Sequence, residues 1–239
     1  DEREMIHELD PIEDIASVAW ISDDGAQAIY YARTPGMARI LDLKTGATRE
    51  LLADDNRIVY LAVDLHGRTL LTGHDKGHWN LTDIASGIAT TFRHASANVR
   101  AANLAPNGTH FALAHDPGGV SLWKADLQED KWVPRQFASI TGTLLGVHSL
   151  RYSRDNRRLL LGSAGQEAVK LWDAHPHQDL LTLSGKGSIF TQIRLSPDGS
   201  RVGAVNAVGE LHLWSAPTWE EIEKSEQASA ANNQRSLPE

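Results

Sequence analysis

Five turns built on glycine or asparagine cut the chain into units of one kind, and their spacing constrains the fold more than any other feature of the sequence. The turns are Asp24-Gly25, His66-Gly67, Asn107-Gly108, Asp155-Asn156 and Asp198-Gly199. Successive turns lie 42, 41, 48 and 43 residues apart, the period of a four-stranded propeller blade. Each turn is followed by a strand end of the same type: Ile40-Leu41-Asp42, Leu81-Thr82-Asp83, Leu122-Trp123-Lys124, Leu171-Trp172-Asp173 and Leu213-Trp214-Ser215. Asn-Gly and Asp-Gly accept the positive φ that a tight hairpin demands, so each turn folds the chain back on itself.

The order inside each unit predicts an all-β propeller of about five blades, over 15–57, 58–97, 98–145, 146–186 and 187–215. A β-rich stretch enters the turn, a second strand leaves it, and a third ends at Trp or its substitute. A fourth, outer strand is readable at 47–52, 88–93, 131–137 and 178–183. The fifth unit lacks one. After Trp214, Pro217 and the capping-box spacing of Thr218 and Glu221 predict a short helix over 216–228, and 229–239 reads as a flexible tail. Residues 1–14 contain an outer-strand pattern at 3–9, which either belongs to a preceding blade or supplies the strand missing from the fifth unit.

With 239 residues, 41% of them hydrophobic, the chain can bury a core. No apolar run approaches the roughly 18 residues of a membrane helix, and residues 1–14 lack the basic start and apolar centre of a signal peptide. The absence of Cys removes disulfides and thiolate chemistry and fits a reducing, cytoplasmic setting. Net charge is −8, but residues 1–14 contribute −6 and residues 220–239 contribute −3, which leaves the body at +1. Such a body offers no broad basic footprint for phosphates, so nucleic acid is not the expected partner.

The strand Ala168-Val169-Lys170-Leu171-Trp172-Asp173 and the turn element Leu195-Ser196-Pro197-Asp198-Gly199 resemble the WD-repeat family of β-propellers. The resemblance spans roughly 15–215 and implies a WD-repeat propeller that works as a protein-interaction scaffold, usually within a seven-bladed ring. It also implies a buried network in which a His before the first strand joins an Asp, a Ser or Thr and the Trp. The matching places hold Arg93-His94 and Gly185-Lys186, and the Asp position is filled plausibly only by Asp75 and Asp116. Most blades therefore depend on apolar packing. The ending Leu213-Trp214-Ser215-Ala216-Pro217-Thr218-Trp219 and the four residues after it resemble the C-terminal end of large bacterial WD-repeat proteins, some of which carry an N-terminal Ser/Thr protein kinase domain. No kinase motif occurs in this chain, so any kinase would be a covalently linked signalling domain upstream.

Catalytic signatures are few. The sequence has no H-E-x-x-H, no G-x-S-x-G and no dinucleotide fingerprint, and Gly185-Lys186-Gly187-Ser188 lacks the earlier Gly of a phosphate loop. His74 and His78 are four apart, but that spacing has helical meaning only, and they flank a loop, so no metal and no cofactor is expected. The rival class is a propeller enzyme of hydrolase or lactonase type, with carboxylates such as Asp75, Asp116 and Glu167 meeting in a central funnel.

A binding role uses loops and stranded aromatics. The third unit is longer by about six residues, at 124–131, beside Trp132 and Arg135, which are expected to anchor another protein or peptide at the side wall. The loops between second and third strands should gather Pro35, His74, Lys76, His78, Asp116, Gln166 and Glu167 on one rim, with Trp79 beside them as contact or core. The common place of Trp123, Trp172 and Trp214 in the repeat marks them as core.

Overall fold

The computed structural model describes residues 17–32, 36–95, 98–129, 131–141, 146–174 and 178–216. The predicted segments at 1–14, 217–228 and 229–239, together with Pro35 and Trp219, lie outside them. Within the described residues the chain forms five antiparallel sheets, each a simple meander. The first blade is β1 (Ser17–Ile21), β2 (Gln27–Ala32), β3 (Gly36–Asp42) and β4 (Thr48–Asp54). The second is β5 (Ile58–Val63), β6 (Thr69–His74), β7 (His78–Asp83) and β8 (Ala89–Arg93). The third comprises β9 (Val99–Leu104), β10 (His110–His115), β11 (Gly119–Gln128) and β12 (Lys131–Ile140), and the fourth β13 (Ser149–Tyr152), β14 (Arg158–Gly162), β15 (Val169–Asp173) and β16 (Asp179–Leu183). The fifth has three strands, β17 (Phe190–Leu195), β18 (Arg201–Asn206) and β19 (Leu211–Ser215). No helix among the described residues is long and apolar enough to cross a membrane.

The repeat extends to individual hydrogen bonds. Gly25, Gly67, Gly108, Asn156 and Gly199 all adopt φ between 62° and 74°. Their N–H groups donate to Ser22, Asp64, Ala105, Ser153 and Ser196, and each of those residues donates in turn to the carbonyl that opens the next strand. Asn is one of the few residues with a side chain that tolerate this left-handed region, which explains its presence at 156.

The second strands are nearly continuous in apolar character because each of their faces meets a different blade. Leu70 packs with Ile29 and Ile40 of the first blade, while its neighbour Leu71 packs with Phe111 and Leu113 of the third. Leu159 and Leu161 face the third blade, and Leu160, between them, faces Phe190 and Ile193 of the fifth. A strand alternates its side chains, so a strand buried on both faces needs no polar alternation. This interblade packing supplies the core. Apolar exposure concentrates on the terminal blades, with Val18 62%, Ile21 57%, Leu211 62% and Leu213 71% exposed.

Polar contacts stitch the inner strands at every junction. Trp20 Nε1 donates to the Leu65 carbonyl at 3.3 Å, Tyr60 Oη to Val99 at 3.0 Å, the Tyr152 amide to Asn103 Oδ1 at 2.8 Å, and Ser149 Oγ to Phe190 at 2.9 Å.

Several sequence expectations are corrected. Trp123, Trp172 and Trp214 pack onto core clusters but are only half-buried. The pairing register slips beside Trp123 and Trp172, and Trp214 sits in a sheet with no described fourth strand to cover it. The extra residues of the third unit do not form a loop: they lengthen β11 and β12 into a hairpin with ten residues in each strand. Trp132 is 4% exposed, packed with Trp79 and Leu81 of the second blade, and its amide donates to Thr90 Oγ1 at 3.1 Å. It is a core residue of the junction and offers no ring to a partner at the side wall. Trp79, 2% exposed, is core as well.

The buried network implied by the resemblance is present in the third blade without its Asp. Ser121 Oγ accepts from Trp123 Nε1 at 2.9 Å and lies 3.0 Å from His94 Nε2. Asp116 stands apart, held by Arg100 in a bidentate pair with contacts from 2.8 to 3.1 Å.

Candidate functional site

Two residues before the first residue of its turn, each inner strand carries a side chain at an equivalent position: Trp20, Ala62, Asn103, Arg151 and Arg194. Together the inner strands line an open funnel of about 780 Å³, which also receives Arg100, His148 and Arg154. The lining mixes polar groups such as Asn103, Arg151 and Arg194 with apolar ones such as Trp20 and Ala62. Sequence analysis missed Arg151 and Arg194. Aligning the inner strands by their turns would have found them.

The rim residues prove unequal. Asp116 is committed to Arg100, whose guanidinium holds its carboxyl below the usual range. Glu167 pairs with Lys170 at 3.0 Å, and Gln166 is exposed. Arg135 is exposed on the outer strand β12. His74, by contrast, is buried at 3%, and the side chain of Lys76 lies outside the described residues. The three carboxylates proposed for catalysis are thus on separate loops, two of them neutralised by a neighbouring cation.

The pair His74 and His78 departs from the sequence expectation in a specific way. A 3₁₀ turn, Asp75–Gly77, joins β6 to β7 and brings the two rings into a stack with centroids 4.6 Å apart and planes 7° from parallel. Asp54, at the end of β4 in the first blade, accepts from His78 Nε2 at 3.3 Å and lies 3.6 Å from His74 Nδ1. Burial pushes the Asp54 carboxyl upward, but hydrogen bonds from Asn56 and His78 outweigh it and hold the group at about 2. Burial lowers His74, against the raising influence of the Asn56 carbonyl and Asp54.

Donor atoms of Asp54, His74 and His78 all fall within 4.8 Å of one another, a spread compatible with a divalent ion. The ring orientations are not. An imidazole lone pair lies in the ring plane, and two nearly parallel stacked planes do not meet at a common point about 2 Å from both nitrogens. Asn80 Nδ2 is 3.1 Å from His74 Nε2, and its amide orientation is set by Thr91 Oγ1 donating to Asn80 Oδ1 at 2.6 Å. Nε2 is then the acceptor, and Nδ1 carries the proton toward the Asn56 carbonyl at 3.3 Å. The trio is a hydrogen-bonded clasp between the first two blades.

This architecture defines a β-propeller of the WD-repeat type. The crystal structure of the Myceliophteria thermophila Cps50 (Swd1) β-propeller domain matches it with a TM-score of 0.67 at 20% identity, over 87% of this chain and 67% of that one. A stretch of 140 residues, 56% of this chain, is 28% identical to Autophagy-related protein 16 of Arabidopsis thaliana; the chain spans about a quarter of that protein, 26% of its length. No protein-family model matches the sequence.

Proposed function

We propose that this chain is a protein-interaction scaffold, a propeller that binds a partner through its funnel mouth and rim without catalysing a reaction on it. The observation that carries this reading is the funnel of about 780 Å³, lined by strands from all five blades and open to solvent. Its side chains are fixed by rigid strands, as recognition of a peptide or loop requires, and the rim carboxylates Asp116 and Glu167 are each paired with a cation. The likeness to the Swd1 propeller and to part of Autophagy-related protein 16 supports the fold on which this reading rests. In finer terms, the scaffold serves as the docking or regulatory part of a bacterial signalling protein in the cytoplasm, with a kinase as the kind of domain that would stand upstream.

Capture of partners by the chain, by its rim variants Asp116→Ala and Gln166→Ala and by its outer-strand variant Arg135→Ala tests the proposal. A partner retained by the parent chain and lost with a rim variant supports scaffolding. Hydrolase or lactonase turnover that disappears with Asp116→Ala would instead identify an enzyme.

A further inference from the structure

Arg151 and Arg194 project from equivalent positions of adjacent inner strands into the same funnel. Neither has a carboxylate partner among the described residues. Arg194 donates one bond, from Nη1 to the Ile193 carbonyl at 2.9 Å. The contrast with Arg100, one blade earlier, is instructive, since Arg100 lines the same funnel and has its charge neutralised by Asp116. Asp64, one of the two acids on the funnel wall, is buried and already accepts from the Arg68 and Thr69 amides and the Arg68 guanidinium. The other, Asp23, stands on the first-blade turn. Arg154, on the turn after β13, adds a third cation to the same lining.

Two guanidinium groups so placed repel each other. Arg151 reaches funnel water, yet the surrounding wall crowds it, and this desolvation together with the Arg194 charge lowers its pKa. Like charges at equivalent positions cost the free chain stability unless an anion joins them. An oxyanion between them would accept charge-assisted bonds from both forks, in the geometry for which Arg is suited.

We propose that the Arg151–Arg194 pair is the recognition site of the propeller and that it grips an oxyanion carried by an acidic peptide segment of the partner. This deepens the scaffold reading and rests on it for the peptide. Carboxylate and phosphate share the required chemistry, and the binding experiment separates them. The funnel is open to solvent, and the rim loops are left to contact the rest of the partner.

Fluorescence anisotropy with short Gly-Ser peptides tests the site, one peptide carrying a glutamate pair, one a phosphoserine and one a lysine pair. The full chain is expected to bind the anionic peptides and not the lysine peptide. Arg151→Gln and Arg194→Gln should each weaken binding roughly tenfold or more, while Lys131→Gln, exposed on the outer strand, leaves it unchanged. The tighter of the two anionic peptides names carboxylate or phosphate as the source. Equal affinity of the anionic peptides for parent and funnel variants, saturable binding of the lysine peptide, or failure of both anionic peptides to bind would overturn the proposal. Melting of the free proteins supplies a second readout: Arg151→Gln should melt at or above the parent temperature because repulsion is relieved, and a lower temperature would mark the residue as structural. A partner captured through the rim that is also retained by Arg151→Gln leaves the scaffold standing and removes the funnel site.

Discussion

Trp79 lies flat across Gly73, its cross-strand partner in the second blade, so closely that a Cβ at 73 would stand 2.5 Å from the indole ring. Gly73 is fully enclosed and the ring is locked between Leu71, Leu81, Phe111 and Trp132. Gly73→Ala should therefore overpack the junction and cost about 1–3 kcal/mol in urea unfolding. Combining it with Trp79→Leu should recover part of that loss. A neutral Gly73→Ala would show that the indole can move aside.

Ser121 is the knot of the third-blade network, with zero exposure and contacts to Trp123, His94 and the Leu113 carbonyl. Ser121→Ala leaves the Trp123 N–H without its acceptor, at an expected cost of about 1–3 kcal/mol. Because Trp123 is an indole within the network, its fluorescence should shift in the folded variant. Parent-like stability with an unchanged spectrum would deny the network a structural role.

The Trp132 and Arg135 pair, read from the sequence as one contact surface, should separate cleanly. Trp132→Ala removes a buried ring at the junction of the second and third blades and should cost about 3–5 kcal/mol. Arg135→Ala, exposed, should stay within about 0.5 kcal/mol of the parent. Denaturant midpoints decide the matter, and a tolerated Trp132→Ala would return that ring to the surface.

Acid should loosen the clasp between the first two blades in two stages. Burial holds His74 below its ordinary value of 6.5 in the fold, so just below that pH the unfolded chain binds more protons and stability falls as pH falls. Asp54, held at about 2 against an ordinary value of 3.8, contributes stability that is present above pH 3.8 and is lost toward pH 2, on the order of 2 kcal/mol. Urea midpoints should be flat above pH 7 and decline from pH 6.5 downward, with a shallower decline in His74→Gln. An equal decline in the variant would assign the effect to other histidines.

Zinc tests the same clasp from another side. Stacked rings with a protonated Nδ1 predict no saturable rise in melting temperature on adding zinc, whereas a bound ion stabilises by mass action. A rise that vanishes in His78→Ala would mean that the rings turn to admit the metal.

The five-fold turn pattern was legible because positive φ restricts the residue type sharply, and Gly25, Gly67, Gly108, Asn156 and Gly199 all bear this out. Strand order followed from it. Burial was harder to read, since a Trp at 123 and one at 132 look alike in a sequence while differing in which junction they face. Long-range placement was hardest. Asp54 meets His74 and His78 across a blade boundary, and Arg151 shares the funnel with Arg194 because both occupy equivalent positions of neighbouring inner strands. The first leaves no local spacing to detect, while counting back from each turn recovers the second.

The long hairpin of the third blade leans on its predecessor through Trp132, whereas its far end, Gln128 to Lys131, carries exposed side chains at both of those residues and at Glu129. Such an overhang is a natural handle. A fluorophore or affinity tag grafted at Glu129 would report on the molecule from its periphery while leaving hub and junctions untouched, and natural variation in length should accumulate there first.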